Sequence, residues 1–224
     1  MARVLAIGDT HCPAMHARYT SFLARVRDKY KCNRIVHIGD IVDNASISYH
    51  EKHSGLPSAS EEYAKACKQV SRLCKEFPKC DLLLGNHDAL TERQAVTIGL
   101  LPNWIKDFQD TWLLPKGWSV HPRFSEIEID GVLYMHGDSG RGGQFGAMKT
   151  AQSKFQSVVM GHLHSEFGCW WYANGNARVF GVNTGCGVDH KVLAMEYGRK
   201  FTKKPILGCA VILDGHPICV PMEL

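Results

Sequence analysis

The sequence predicts an α/β protein, and three observations predict it. Short apolar runs alternate with helical patterns through the first part of the chain. Each run breaks off at Gly beside polar groups, and hairpin signals dominate the second part. Val4 to Ile7 reads as the first strand, after which Met15, Tyr19, Phe22, Leu23, Val26 and Tyr30 recur at helical spacing. Ile35 to Ile38 is the second strand. Ser58 with Glu61 three residues on fits a capping box opening a helix to about Phe77, and Leu82 to Leu84 is the third strand. That βαβαβ order belongs to a mostly parallel sheet. Hairpins follow around Asp130-Gly131, Asn174-Gly175 and Asp214-Gly215, with a helix near Ala147 to Phe155 and a strand Val158 to Met160 between them. No repeat or linker interrupts the chain, so one domain over 1–224 is expected.

Composition narrows the class. A formal net charge of +4, from 26 Lys and Arg against 22 Asp and Glu, neither requires nor excludes nucleic acid. The basic cluster from Arg199 to Lys204 reads as a solvated loop. Met1 to Ile7 is too short for a signal-peptide core, and no apolar run approaches bilayer length, so a soluble, cytoplasmic protein is expected. Nine Cys without a CxxC pair argue for reduced thiols, against a disulfide framework and against a thiolate zinc site. Cys67 and Cys74 share a helical stripe with Tyr63, Val70 and Phe77 and read as small core residues.

The chemistry sits where apolar segments end. The first strand runs into Gly8-Asp9-Thr10-His11, the second into Gly39-Asp40-Ile41-Val42-Asp43, and the third into Gly85-Asn86-His87-Asp88. Later, Tyr134-Met135 runs into His136-Gly137, and Val159-Met160 into Gly161-His162-Leu163-His164. Any one of these reads equally well as a turn or a core histidine. Together they read as a site. Asp, Asn and His offer oxygen and imidazole nitrogen without thiolate, which suits Mn²⁺, Fe, Zn²⁺ or Mg²⁺. Two ions about 3.5 to 4 Å apart need a bridging oxygen, which a shared carboxylate supplies.

In this order, GDTH, GDIVD, GNHD, HG and GHLH resemble the five-part pattern of calcineurin-like metallophosphoesterases, over residues 8 to 164. The resemblance implies a β-sandwich of mixed sheets flanked by helices, with a dinuclear centre on its rim. It implies that Asp9, His11 and His164 hold one metal, that Asn86, His136 and His162 hold the other, and that Asp40 bridges them. His87 would meet the phosphate as proton donor or transition-state stabiliser, Asp88 would orient its ring, and Asp43 would support the ligands from behind. The implied reaction is hydrolysis of a P–O bond by attack of a metal-bound hydroxide. Among two divalent ions, manganese is the first choice, with Fe, Zn²⁺, Ni²⁺ or Mg²⁺ as alternatives. The GHxH ending is similar to that of the phosphodiesterase branches, so a compact phosphodiesterase is the leading reading, and the short pattern also resembles small phosphoesterases of bacteria and phages. A phosphomonoesterase or small DNA/RNA nuclease is the alternative, and a binding scaffold on the same fold is a third, of a different class. The expected partner is a phosphoester, with nucleotides and nucleic acid among the options and no membrane.

Segments outside the motifs are candidates for substrate contact. Asn44 to Pro57 follows the expected bridging Asp without periodicity and carries Tyr49, His50 and His53. Arg141 follows His136 closely enough to reach phosphate. His190, ending the 183–190 segment, reads as peripheral. Trp104, Trp112, Trp118, Trp170 and Trp171 offer stacking faces, with core packing as the plain reading.

Overall fold

The computed structural model describes residues 1–49, 55–139, 142–192 and 202–223. Its strands are β1 Arg3–Ile7, β2 Arg34–His37, β3 Cys80–Leu83, β4 Trp118–His121, β5 Ile127–Ile129, β6 Val132–Met135, β7 Ser157–Met160, β8 Gly168–Ala173, β9 Arg178–Asn183, β10 Gly208–Leu213 and β11 His216–Pro221. Its helices are α1 Tyr19–Tyr30, α2 Ala59–Glu76, α3 Leu90–Thr97, α4 Phe108–Thr111 and α5 Gly146–Lys154. The strands form a six-stranded sheet in the order β11-β10-β1-β2-β3-β4 and a five-stranded sheet in the order β5-β6-β7-β9-β8. β1 to β4 pair in parallel, and the β10–β11 pair is antiparallel. In the second sheet β6, β7 and β9 are parallel, with β5 and β8 antiparallel at the edges. Both sheets are mixed, as expected.

Period-2 alternation explains the layering. On β1, Val4 and Ala6 join Val159, Phe180 and Val182 of the second sheet in one buried cluster, whereas Leu5 and Ile7 join Phe22, Leu23, Val70 and Leu73 of α1 and α2 in another. α5 covers the far side of the second sheet with Ala147 and Ala151 against Val158 and Met160. The result is helix, sheet, sheet, helix. Strands buried on both faces read as unbroken apolar runs, which is why β1, β2 and β3 were visible in the sequence. Their shared direction delivers the β1, β2 and β3 carboxyl ends to one rim.

The capping box is present: Ser58 Oγ accepts from Glu61 N and Glu61 Oε2 accepts from Ser58 N. Two local expectations need correction. Met15 lies in a loop, and α1 begins at Tyr19, because the preceding backbone pairs elsewhere: Cys12 bridges to Val42, Met15 to Val188, and His16 N donates to Gly187 O. Tyr63 is not core, being 40% exposed and resting on the Trp112 ring at 5.1 Å. β4, α3 and α4 had no expectation. All nine cysteines are free, and burial raises the thiol pKa of Cys12 and Cys74 to about 12.

Candidate metal centre

Strand ends from both sheets deliver one cluster of side chains. Asp9 and His11 follow β1, Asp40 and Asp43 follow β2, Asn86 and His87 follow β3, His136 follows β6, and His162 and His164 follow β7. Ligand atoms of Asp9, His11 and His164 lie within 4.8 Å of one another, as do those of Asp40, His136 and His162. Asp40 Oδ2 sits 3.6 Å from His11 Nε2 and 3.3 Å from His136 Nε2, between the two groups. Asn86 Oδ1 is 3.1 Å from His136 Nε2, and Asp9 Oδ2 is 2.9 Å from His164 Nε2. A third grouping, His11, Asp40 and His87, overlaps the first two.

Hydrogen bonds behind the cluster decide which nitrogens face it. His136 Nδ1 is 3.1 Å from the Ile38 carbonyl, which can only accept, so Nδ1 carries a proton. His87 Nδ1 likewise donates to the Asp43 carbonyl at 2.7 Å, and His11 Nδ1 donates to Asp43 Oδ1 at 2.8 Å. The Nε2 atoms of these rings are left to the centre. His11 Nε2 and His164 Nε2 approach to 3.1 Å, an arrangement of imidazole nitrogens around a common point that suits a cation. Asp43 Oδ2 is buried without a hydrogen-bond partner among the described residues. Buried oxygen and imidazole donors without thiolate fit a hard or borderline divalent ion.

The electrostatics agree. Burial pushes the Asp9 carboxyl up, but the His164 hydrogen bond and the charge of His136 outweigh it and hold it at about 2. Burial also opposes ionisation of Asp43, and hydrogen bonds from His11 and His87 bring it to about 2. Burial pulls His136 down, yet the Asp40 carboxylate raises it to about 10; His87 rises to about 9 against burial, through Asp43 and Asp40. The same Asp40 carboxylate that favours protonated His136 would favour a cation, so binding a divalent ion there would compete with that proton and release it.

The backbone is bent to make this approach. His11, Asp40 and His162 have φ of 44°, 47° and 64°, in the left-handed region that L side chains rarely adopt. Hydrogen bonds hold them there: Thr10 N and His11 N both donate to Asp40 O, and His162 N donates to the Asp9 carboxylate at 3.0 Å. A Cβ on Gly85 would strike the Asp40 carboxylate, and one on Gly161 the Asp9 carboxylate. Only glycine fits at these two strand ends.

Several expected roles change. Asp88 does not reach the His87 ring; its carboxylate accepts from Val42 N at 3.1 Å and Gly85 N at 3.0 Å, tying the second and third strand-end loops together. Asp43, expected behind the ligands, holds His87 as well as His11. Tyr49 is 54% exposed, with Arg93 over its ring and its hydroxyl 3.3 Å from Thr97, so it lies against α3. His50, His53 and Arg141 lie outside the described residues. His190 joins none of the ligand groupings among the described residues. Trp112 and Trp118 are buried, and Trp104 and Trp171 are exposed.

Two supporting residues were not anticipated. His37 is fully buried; its Nδ1 accepts from Gly39 N at 3.2 Å and its Nε2 donates to Thr10 Oγ1 at 3.2 Å, linking the Asp9–His11 loop to the Asp40 loop. Asn183 donates to Gly161 O and accepts from Gly185 N, bracing the approach to His162. An imidazole at the buried end of β2, between the apolar Ile35-Val36 and Ile38, was the available signal for the first.

The model of the calcineurin-like phosphoesterase family matches residues 2–190, and the chain belongs to that family. It is thus a member of a group of phosphoester hydrolases that work with divalent metals, and the His and Asp groupings provide candidate metal sites. Among solved structures, vacuolar protein sorting 29 from Cryptosporidium parvum is 14% identical, with 100% of this chain and 97% of that one covered at a TM-score of 0.47. Yfce, a phosphoesterase from E. coli, is 14% identical, covering 97% and 99% at 0.47. A single mutant of Vps29 from Entamoeba histolytica is 12% identical, covering 99% of each chain at 0.42. No curated protein sequence gives a significant match.

Proposed function

We propose that the chain is a cytoplasmic, dinuclear metal-dependent phosphodiesterase, with manganese as the first metal to test. The observation that carries the dinuclear reading is the position of Asp40 Oδ2 between His11 Nε2 and His136 Nε2, as a shared ligand requires. In this reading Asp9, His11 and His164 hold one ion, Asn86, His136 and His162 the other, and Asp40 both. When bound, the ions supply Lewis acidity that activates water and neutralises charge growing on the phosphoryl oxygens.

The chain's own residues do the rest. Asp43 fixes His11 and His87 by their Nδ1 protons, so His87 presents Nε2 as the atom able to hand a proton to the departing oxygen. Asp88 keeps the loops carrying Asp40 and His87 in register through Val42 N and Gly85 N. His37 and Asn183 keep the ligand loops at their spacing. The Gly161-His162-Leu163-His164 ending supports a diester over a monoester by its resemblance to the phosphodiesterase branches.

The test is hydrolysis of an aryl monoester, an aryl diester, a cyclic nucleotide and single-stranded DNA, each with Mn²⁺, Ni²⁺, Mg²⁺ and Zn²⁺. The diester with Mn²⁺ should be turned over fastest, and chelation should abolish it. Faster monoester turnover would make the chain a phosphomonoesterase, and preference for DNA a nuclease. Turnover of none would leave the scaffold reading.

A further inference from the structure

A cleft of about 450 Å³, within the size range of small-molecule sites, opens between the loop after β3 and the short α4. One flank is Asp88, two residues from Asn86; another is Arg123, whose Nε lies 2.6 Å from Oδ2 of Asp138, two residues beyond His136. Asn86 and His136 themselves touch at 3.1 Å. The cleft is therefore anchored to the two loops that carry this pair.

The lining is aromatic and set in advance. Phe108 and Trp112, four apart on α4 and its C-cap, share a face with ring centroids 6.2 Å apart. Tyr63 backs Trp112 and its hydroxyl donates to Thr111 O at 2.6 Å, while Asp107 caps α4 by accepting from Asp110 N. Leu84 and Val120 complete the apolar wall, and Thr91 and Lys106 offer polar groups at its edge. Of the two cations in the lining Arg123 is paired with Asp138, and Lys106 is accompanied by Glu92 and Asp107, so the cleft has no excess positive charge to draw the phosphate, while Phe108 and Trp112 give it ring surface for an uncharged flat group.

We propose that the cleft seats a planar aromatic group, such as an aryl ring or nucleobase, on the ester oxygen that stays on phosphorus while the leaving group faces His87. The proposal rests on the phosphodiesterase reading and supplies its substrate class. Bis(4-nitrophenyl) phosphate and methyl 4-nitrophenyl phosphate lose the same nitrophenolate and differ only in the retained group. Their kcat/KM ratio should favour the bis-aryl ester in the wild type, and should fall about tenfold in Phe108→Ala, which removes a stacking face, and in Thr91→Trp, which fills the cleft from its exposed edge. Metal content and turnover of the methyl ester should hold in both variants.

Saturation-transfer NMR with 4-nitrophenyl phosphate reads the cleft without catalysis: ring protons should be saturated by the wild type and much less by either variant. If both esters are hydrolysed and neither variant moves their ratio, the cleft proposal is overturned and the phosphodiesterase reading stands. If no ester is hydrolysed with any metal but the variants abolish ring saturation, the catalytic reading fails and the aromatic site stands. Equal saturation in all three proteins overturns the cleft proposal whatever the activity.

Discussion

Asp40 accepts His87 N at one carboxylate oxygen, 2.8 Å away, and turns the other towards His11 and His136. If Asp40 is the shared ligand proposed above, removing it would withdraw a ligand from both groups as well as a tether from the loop of His87, so Asp40→Ala should lose metal content and kcat together. His87→Ala should keep its metal, by elemental analysis, while kcat drops by about 10²- to 10⁴-fold, the span of a lost proton transfer. A metal-depleted His87→Ala protein would instead make His87 a ligand, as its grouping with His11 and Asp40 allows. His37 makes a different prediction. Burial lowers its imidazole from 6.5 to about 4, so the folded state resists protonation more than the unfolded chain does. Stability from the neutral ring is complete above the unfolded value and is lost as pH falls from there through about 4, by at most about 3 kcal/mol. Chemical denaturation of metal-free protein at pH 7 and pH 4.5 should show a larger loss for wild type than for His37→Gln. Equal losses would assign the acid sensitivity to other groups.

At the scale of the element, what the sequence made legible follows burial. β1, β2, β3 and β7 are sealed on both faces and read as apolar runs, and the Asp130-Gly131 and Asp214-Gly215 hairpins announce themselves because both residues of each pair adopt positive φ. β4 was silent because Trp118–His121 is a sheet-edge strand buried fully only at Trp118. α3 was silent because Ala89 caps it without a side-chain hydrogen bond, and α4 because four residues carry no periodicity. Spacing showed which loops bear the candidate ligands but not which way side chains turn, so the expectation gave Asp88, next to His87 in sequence, the ring contact that Asp43 makes from another loop. The strand-end glycines translate this into a test. Gly161→Ala should drive its Cβ into the Asp9 carboxylate and lower metal affinity by calorimetric titration. Gly131→Ala meets nothing within 4 Å and should cost about 1 kcal/mol of stability through its left-handed φ, with metal affinity unchanged. Equal affinities in the two variants would count against close approach as the reason for glycine at 161.

Across the whole molecule, the candidate ligands come from both sheets: Asp9, His11, Asp40 and Asn86 leave the six-stranded sheet, and His136, His162 and His164 leave the five-stranded one. Ions bound as proposed would pin the two layers together at their rim, where three residues hold left-handed φ, while Val4, Ala6, Ile38 and Leu83 pack against Val159, Phe180 and Val182 beneath it. Metal binding and global folding should therefore be linked. Each ion at 100 times its dissociation constant contributes about 2.7 kcal/mol to the folded state, so the two together contribute about 5 kcal/mol, which for a chain of this length corresponds to a Tm shift of about 10 to 20 °C. If 1–224 is one cooperative domain, scanning calorimetry should show a single transition that moves down by this amount on chelation and returns when Mn²⁺ is restored. Asp40→Ala, lacking the shared ligand, should melt near the chelated wild type and be indifferent to Mn²⁺. Two transitions, only one of them sensitive to chelation, would mean that the sheets fold separately and that the ions do not join them.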